Sequence, residues 1–442
     1  MKRGVAVLFS LRSLLAFFCL FTGFQSPVAL AITLAQAEQE LLRANPDIAI
    51  ARANIEGAVA NVTVQGAHPN PTLSVQTAHF SPLTGLGAGR PHDKALDTIV
   101  GISLPIERGD KAALRREAAL EQLAGVRLDL SETRRQQRLA LHQAYFDLKL
   151  AEDKLAITRE MRDLALQALG AADKRVAAGD IAEVDRVRLQ VDALRTANDA
   201  TAAEADVRQA RVALAAAMGR TRIVREDAGA IPITRVEAPL DDLATEDAWP
   251  VLAGDVVIDD ALAMIPKRAD VAGAEARVAA ANAARAVARS LRTRDVTVGA
   301  QIERDPTSSP GVTYGISVSI PLYARYGYEG EIAKAEADYS TAVLTRVKVL
   351  TQAEAEIGKT HAMLANARAR LRNFESDLVP TARKALDAIE FAYSRGAASL
   401  TDVLDARRTW RTVLTDLAQA RSDHAKALAA WSGATQWEIA RP

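Results

Sequence analysis

The feature that most constrains the fold is the stretch from about Lys111 to Ala178, which has no proline and consists mainly of helix-forming residues. Its apolar residues recur at spacings of three, four and seven, which is typical of one helical face. At about 1.5 Å per residue, a single helix over this stretch is on the order of 100 Å long. Because such a helix cannot bury its apolar stripe alone, we expect partner helices along its whole length.

Two glycine turns interrupt the long helical patterns. Gly396 lies in the segment YSRGAASLTDVLDA, residues 393–406, and a helical pattern restarts at Ser399. A weaker version of this pattern, a glycine between two helical segments, surrounds Gly179, 217 residues earlier. A glycine supplies the positive φ that ends a helix, and a Ser or Asp caps the next helix. The two turns predict a duplicated arrangement of helical hairpins with tips near 179 and 396.

Residues 32–219 predict a first repeat of helix, strand, strand, long helix and helix. Thr33 is the expected N-cap of the first helix, and Pro105 is expected to close the strand pair. The predicted elements are a helix from Ile32 to about Gln65, strands at about 72–79 and 98–104, the long helix, and a helix over about 182–218.

Residues 258–434 predict a second repeat, which follows a proline-containing linker at 220–257 and precedes a C-terminal tail at 435–442. We expect Pro321 to close the second strand pair and Pro380 to kink the long helix near Val379. The two repeats agree in the order of their elements and in their glycine and proline breaks, which indicates a duplication. The predicted elements are a helix over about 259–292 broken near Pro266, strands at about 295–302 and 313–320, a long helix to about Ser394, and a last helix to about Trp431.

Residues 1–31 have the pattern of a secretory signal peptide, with cleavage expected near Ala31. A basic start, an apolar run and the sequence Ala-Leu-Ala at 29–31 make up this pattern. The alternative is a membrane anchor, for which the apolar run is short. The single cysteine, Cys19, lies inside this segment behind two bulky phenylalanines. We therefore expect a mature chain with no disulfide and no lipid anchor.

The four predicted strands have the length of tilted membrane-spanning strands. Four strands cannot close a barrel, and open sheet edges are not tolerated in lipid, so three chains would be needed to supply twelve strands. The predicted fold is mostly α with a transmembrane β-barrel continuous with a long α-helical barrel. The alternative is two soluble hairpins packed on the helices. Tyrosines around the fourth strand fit an interfacial girdle, although tyrosines are common at strand ends; they are Tyr314, Tyr323, Tyr326 and Tyr328.

The chain resembles the TolC-like outer membrane factors over nearly all of its mature length. The resemblance rests on the two-fold repeat, on PTLSV at 71–75, on IPL at 320–322, and above all on residues 393–406. Two further segments, LPIERGDK at 104–111 and YEGEI at 328–332, are similar to the CzcC-type heavy-metal branch of that family.

This resemblance implies a homotrimeric exit duct of a tripartite, RND-type efflux system in the outer membrane of a Gram-negative bacterium, with a large periplasmic portion. The implied partners are a periplasmic adaptor protein, an inner-membrane pump and outer membrane lipid. The expected cargo is divalent heavy-metal cations, and drugs or secreted polypeptides are the alternatives. From another class, a periplasmic helical adaptor or scaffold without a pore remains open.

The resemblance also implies roles for individual residues. The expected entrance residues are Asp185, Tyr393, Asp402 and Asp405. The residues expected at the hairpin tips and the adaptor contact are Gly179, Asp180, Arg395, Gly396, Ser399 and Leu400. Ala398 stands where the best-known members carry the arginine that latches the entrance, so Arg395 or Arg186 would have to substitute for it.

Asp402 and Asp405 are three residues apart, so they lie on one helical face. In a trimer they would place six carboxylates around a narrow mouth, where a ring of acids attracts cations. The alternative is a helix cap and a solvated face, because acids are favoured in the first turn of a helix.

Other function classes have no support in the sequence. A formal net charge of +0 gives no reason to expect nucleic-acid binding. No catalytic triad, phosphate loop or dinucleotide motif is present, so we expect no enzyme and no cofactor. The histidines have no metal-ligand spacing, so we expect no bound metal; they are His68, His79, His92, His142, His361 and His424.

Overall fold

The computed structural model describes residues 30–78, 97–220, 243–251, 257–305 and 311–435. Four predicted features lie wholly or mostly outside these residues. They are the signal peptide, the loop that contains His79 and His92, the linker 220–257 and the C-terminal tail.

The described part of the chain is mostly helical. The long proline-free stretch forms one helix of 67 residues. No helix among the described residues is both long and apolar enough to cross a membrane. The helices are α1 (Leu34–Ala44), α2 (Pro46–Gly66), α3 (Lys111–Ala177), α4 (Glu183–Ala217), α5 (Ile258–Ala263), α6 (Ala269–Ser290), α7 (Glu329–Asn373), α8 (Val379–Ser394) and α9 (Leu400–Thr435).

Side chains cap the first two helices. The Thr33 hydroxyl accepts a hydrogen bond from the Gln36 amide at 3.2 Å, and the Gln36 side chain accepts one from the Thr33 amide at 2.9 Å. This reciprocal capping box confirms Thr33 as an N-cap. Asn45 caps α2 by accepting hydrogen bonds from the Asp47 and Ile48 amides, with Pro46 in the first helical turn, where a missing amide hydrogen is harmless.

Six strands form two sheets within the described residues. An antiparallel sheet has the order β2-β3-β5-β6, and β1 pairs in parallel with β4. The prediction that Ile32 begins a helix was wrong, since Ile32 belongs to β1. The linker prediction also missed β4. This strand has only three residues, which is too short for an alternating pattern to reveal it. The strands are β1 (Leu30–Ile32), β2 (Thr72–Ala78), β3 (Asp97–Ile106), β4 (Leu243–Thr245), β5 (Val296–Arg304) and β6 (Val312–Ser319).

The antiparallel sheet has one apolar face and one polar face. Cross-strand register aligns Leu73, Ile102, Ala300 and Ile316 in one row, and the next row of the same face aligns Val75, Val100, Ile302 and Tyr314. Ile316 is 86% exposed and Leu73 70% exposed. The rows of the opposite face carry polar or small residues apart from Ile99, among them Ser74, Gln76, Gln301, Glu303 and Ser317. An exposed apolar face is therefore a regular property of all four strands.

Pro105 does not end the third strand, contrary to the prediction. β3 continues to Ile106, and Pro105 pairs in register with Thr297 of β5. On the other side, pairing with β2 stops at Ser103, which lies opposite Thr72. Beyond Ser103 one side of β3 has no neighbouring strand among the described residues, so a residue without an amide hydrogen is tolerated there. β6, in contrast, ends at Ser319, before Pro321.

The helix break at Pro380 takes the form of a π turn. Phe374–Leu378 adopt this wider turn between α7 and α8. Pro380 then lies in the first turn of α8. A proline in a helix interior leaves a carbonyl without its amide donor, and a wide turn relieves this conflict. The predicted disturbance near Val379 therefore begins one turn earlier.

The chain divides into two compact units. The hairpin unit comprises Met1–Glu40, Ala144–Trp249 and Leu378–Ser422, and the strand unit comprises Leu41–Gln143, Pro250–Asp377 and Asp423–Pro442. The strand unit has a core built from Val271, Ile357, Leu364, Leu428 and Trp431, with several alanines between them. Fully buried side chains of the hairpin unit include Leu148, Leu214, Met218 and Leu243.

A buried arginine anchors the end of α9 inside the strand unit. Arg268 is 2% exposed and donates to the Ala434 carbonyl at 2.8 Å. It also pairs with Asp270 and Glu356. Arg135 joins the same group through Glu356 and the Gly433 carbonyl. The last helical carbonyls thus have buried cationic donors in place of solvent.

Candidate functional site

The two predicted tips are built by the same backbone motif. Gly179 and Gly396 have φ of +81° and +74°. At the first tip the Gly179 amide bonds the Val176 carbonyl and the Asp180 amide bonds the Arg175 carbonyl. The same two-bond pattern surrounds Gly396. This is the Schellman ending of a helix, for which a residue with positive φ is needed.

Ser399 and Asp402 form a capping box at the start of α9. The Asp402 carboxylate accepts from the Ser399 amide at 2.9 Å and from the Ser399 hydroxyl at 2.7 Å. In return the Ser399 hydroxyl accepts from the Asp402 amide at 3.2 Å. The hydrogen bonds from the Ser399 side chain and then from its backbone lower the pKa of Asp402. Asp402 is therefore ionised at neutral pH while it also caps the helix.

The first tip lacks such a cap. The N-cap position of α4 is Ala182, which has no side-chain hydrogen bond. Asp180 is exposed and does not cap the helix, although acidic residues Glu183 and Asp185 fill its first turn. The two tips therefore share their glycine motif but differ in the helix start that follows.

The four predicted entrance residues do not form one network within the described structure. Asp185 pairs with Arg188 at 3.4 Å, and Asp405 pairs with Arg408 at 3.4 Å. Tyr393 is half-buried near the end of α8, where its carbonyl accepts from the Gly396 amide. Among the predicted acids, Asp185 and Asp405 thus each have an arginine one turn further along their own helix. Asp402 has the capping contacts instead.

Neither proposed substitute for the missing arginine reaches these acids. Arg186 pairs with Glu183 at 2.6 Å and with Asp173 of α3 at 3.7 Å, so it links the two helices of the first hairpin. Arg395 lies over the Phe391 ring, with its guanidinium carbon 5.3 Å from the ring centre. Ala398 brings no polar side chain to the tip.

Two ion pairs that the sequence did not indicate lie near the tips. One links the two hairpins, and the other links the two helices of the second hairpin. Arg411 of α9 pairs with Asp199 of α4 at 2.7 Å. Arg407 of α9 pairs with Glu390 of α8 at 2.8 Å. These partners are 17 to 212 positions apart in sequence. No local spacing signals such pairs, so only the packing of the helices identifies them.

Polar contacts hold the parallel strand pair against α3. The Tyr145 hydroxyl donates to the Ile32 carbonyl at 3.1 Å, and the Glu152 carboxylate accepts from the Thr245 amide. Trp249 donates from its indole nitrogen to Asp153 at 2.9 Å and stacks on Phe146. Burial raises the pKa of Glu152, although the bonds from Thr245 oppose that shift. This layer extends the hairpin unit away from the tips.

No group of three or more histidine, cysteine or acidic residues in the described part of the chain is arranged to hold a metal ion. The exposed candidate surfaces are the apolar sheet face and the two tips. Both are consistent with binding or conduction.

A sequence profile described as outer membrane efflux protein matches residues 37–220 and 257–435. The chain belongs to the outer membrane efflux protein family. The two matched segments cover nearly all of both predicted repeats and leave out most of the linker between them.

Relatives within the outer membrane efflux protein family include a metal-resistance protein. The cobalt-zinc-cadmium resistance protein CzcC of Cupriavidus metallidurans is 25% identical over 321 residues, which span 70% of this chain and 69% of CzcC. This similarity confirms the predicted resemblance to the CzcC-type branch.

Solved structures of outer membrane channels share the fold. The CmeC outer membrane channel of Campylobacter jejuni matches with a TM-score of 0.73 at 15% identity, over 92% of this chain and 87% of CmeC. CusC, a protein described in connection with transmembrane channel formation, matches with a TM-score of 0.72 at 17% identity, over 92% and 93%. These proteins are channels rather than enzymes.

Proposed function

We propose that this chain is the outer membrane exit duct of a tripartite efflux system and passively conducts divalent heavy-metal cations out of the cell. The observation that carries the proposal is the four-stranded sheet, which has one exposed apolar face and two outer strands, β2 and β6, that each pair on one side only within the described residues. An isolated sheet of this kind is unstable both in water and in lipid.

Three copies resolve this conflict by pairing β2 of one chain with β6 of the next. The twelve strands then form a closed barrel with no free edge. The row that contains Leu73 and Ile316 faces lipid, and the row that contains Ser74 and Gln301 faces the lumen. Alternation of this kind is the usual pattern of barrels that span a bilayer.

The helical hairpins then extend from the barrel into the periplasm. Their tips at Gly179 and Gly396 meet an adaptor protein, which connects the duct to an inner-membrane pump. Asp180, Arg395, Ser399 and Leu400 are the neighbouring contact residues in this proposal. The support is that both tips are exposed short turns with the same backbone motif.

Cation preference at the entrance is assigned mainly to Asp402. Its carboxylate is ionised and fully exposed, and no arginine pairs with it among the described residues. Asp185, Tyr393 and Asp405 complete the proposed entrance, with two of these acids partly neutralised by Arg188 and Arg408. Three copies of Asp402 around one mouth would raise the local concentration of divalent cations. Support for metal as the cargo comes from the similarity to CzcC.

The proposal is tested by deleting the gene and restoring it in the same strain. The restored strain should regain resistance to divalent metals, and the chain should fractionate with the outer membrane and migrate as a trimer in mild detergent. Zinc, cobalt and cadmium should be compared with a panel of drugs. A chain recovered as a soluble monomer would contradict the duct, while resistance to drugs alone would contradict only the metal cargo.

Two neighbouring positions of β5 provide a matched test of the barrel. Ala300 lies on the apolar face and Gln301 on the polar face. Ala300→Arg should destabilise insertion by about 2–4 kcal/mol because the charge would face lipid. Gln301→Arg should insert normally because its side chain would face the lumen. Equal amounts of both variants in the outer membrane would contradict the assignment of the two faces.

A further inference from the structure

The segment between β6 and α7 carries a compact cluster of tyrosines and arginines. The Tyr323 and Tyr328 rings lie 5.1 Å apart between centres, and the Tyr326 ring lies 6.0 Å from that of Tyr328. Arg294, from the turn before β5, places its guanidinium carbon 5.6 Å from the Tyr323 ring centre. Arg325 lies in the same segment and is exposed. We call these five residues the junction patch.

The arginines of the junction patch have no carboxylate partner among the described residues. The equivalent segment of the first repeat, between β3 and α3, differs in its rings. There Lys111 pairs with Asp295 at 2.8 Å and Arg115 pairs with Glu107 at 2.7 Å, while Arg108 is exposed and no tyrosine is present. Only the second junction therefore combines exposed arginines with tyrosine rings.

The acidic residues next to the junction patch are already occupied. Glu329 accepts a hydrogen bond from the Gly327 amide at 2.9 Å and also lies near Arg292. Glu331 accepts from the Tyr326 hydroxyl. Both carboxylates lie in the first turn of α7, where the helix dipole favours them. Neither carboxylate forms an ion pair with Arg294 or Arg325 among the described residues.

The junction patch continues directly from the exposed apolar surface of β6. Ile316, Val318 and Leu322 are 86%, 63% and 77% exposed, and Leu322 is the residue before Tyr323. An apolar band that ends in amphipathic rings and free cations matches the change from acyl chain to headgroup in a bilayer. Arginine also binds phosphate with more than one donor, which distinguishes it from lysine.

We infer that the junction patch is a binding site for the phosphate-bearing headgroup of an anionic phospholipid in the periplasmic leaflet. Arg294 and Arg325 bind the phosphate, and the three tyrosine rings lie at the boundary between acyl chains and headgroups. Only the second repeat carries the site, so a trimer has three. This inference rests on the proposed membrane barrel, since it needs β6 to face lipid.

The test uses the full-length chain reconstituted in phosphatidylcholine vesicles. Electron paramagnetic resonance of spin-labelled lipid measures which lipid the protein immobilises. Wild-type protein should immobilise labelled phosphatidylglycerol in preference to labelled phosphatidylcholine, and added salt should weaken that preference. The Arg294→Gln/Arg325→Gln variant should lose the preference by roughly fivefold for each arginine removed.

Two further variants separate a specific site from a general loss of charge or of folding. Arg289→Gln/Arg346→Gln removes two arginines of the same unit that pair with Glu336 and Glu275. This control should keep the preference. Arg294→Lys/Arg325→Lys preserves the charge and should keep most of it. Equal immobilisation of both lipids by wild-type protein, or equal loss in both glutamine variants, would overturn the inference.

The outcomes also separate this inference from the proposed function. Protein that inserts but shows no preference for phosphatidylglycerol contradicts the junction patch and leaves the barrel intact. Wild-type protein that does not insert into the vesicles contradicts the barrel, and the junction patch then fails with it.

Discussion

Lys111 and Asp295 tie the two repeats together at the boundary between strands and helices. The Lys111 ammonium lies 2.8 Å from both Asp295 oxygens and donates to the Thr293 carbonyl at 2.8 Å. Lys111 is the first residue of α3, and Asp295 directly precedes β5. The Lys111 side chain is 6% exposed and that of Asp295 is 35% exposed. The pair fixes where the first repeat's long helix starts relative to the second repeat's strands.

Removing the acid of this pair should be more harmful than replacing the lysine by an apolar residue, because Lys111 is buried whereas Asp295 is 35% exposed. Asp295→Ala leaves the buried ammonium of Lys111 without its main acceptor, which should destabilise the protein by about 1–3 kcal/mol. Lys111→Met fills the same space without a charge and should destabilise it less. Thermal unfolding of the two variants in one detergent checks the order. A larger loss in Lys111→Met would contradict this view of the pair.

Substitutions at Gly396 should act by straining the backbone and not by a steric clash. A Cβ there would meet nothing within 4 Å, but the φ of +74° is disfavoured for residues with a side chain. Gly396→Val should therefore distort the tip and reduce adaptor cross-linking and efflux. Gly396→Asn should retain both, because asparagine adopts positive φ more readily.

Gly358 provides the control for this prediction. It lies inside α7, and a Cβ there would also meet nothing within 4 Å. Gly358→Ala should leave adaptor cross-linking and efflux unchanged. If Gly396→Val behaved like Gly358→Ala, the tip would have no role in seating an adaptor.

Asp402 should give the entrance a cation preference that persists at mildly acidic pH. Because hydrogen bonds from Ser399 lower its pKa, its charge and its capping contribution are present above about pH 4, the usual range for Asp. Both are lost as the pH falls through the lowered pKa. Conductance in planar bilayers should show that Asp402→Asn reduces cation selectivity and block by multivalent cations.

The Ser399→Ala variant distinguishes capping from conduction. It removes the hydroxyl bond to Asp402 but keeps the carboxylate, so it should retain most cation selectivity at neutral pH. A loss as large as that in Asp402→Asn would assign the effect to tip structure instead of charge.

His424 should make the strand unit less stable as the solution is acidified. Its ring is 4% exposed, and burial, followed by the charge of Arg368, lowers its pKa, which Glu375 partly offsets. A histidine with a lowered folded pKa favours the neutral form, so stability is complete above about pH 6.5 and falls as the pH drops through the folded pKa. The thermal midpoint should decrease over this range. His424→Gln should reduce that dependence, and an unchanged slope would assign it to other groups.

The sequence predicted the repeated features well and the unrepeated ones poorly. The sequence pattern identified all four long strands, and glycine identified both tips, because each depends on local residue patterns. β4 was missed because its pairing partner is some 200 positions away and three residues carry no period. Pro105 was misjudged because whether a proline ends a strand depends on the neighbouring strand, which local sequence does not show.

The entrance illustrates a similar limit. Residue types and spacing correctly indicated a cap at Ser399, since Ser and Asp at this distance form a local motif. They did not indicate that Arg411 reaches Asp199, or that Arg186 is held by Asp173, because these contacts come from helix packing. A latch at the entrance cannot be inferred from Ala398 alone.

Cross-linking of the outer strands tests the central claim most directly. Since Cys19, within the predicted signal peptide, is the only cysteine, pairs of new cysteines can be scanned along β2 and β6, for instance at Ser74 or Gln76 with Ser317 or Ser319. If three copies close one barrel, at least one pair should yield covalent trimers in the outer membrane and no larger product. The absence of any product between chains across the whole scan, in protein that is folded and membrane-bound, would contradict the trimeric duct.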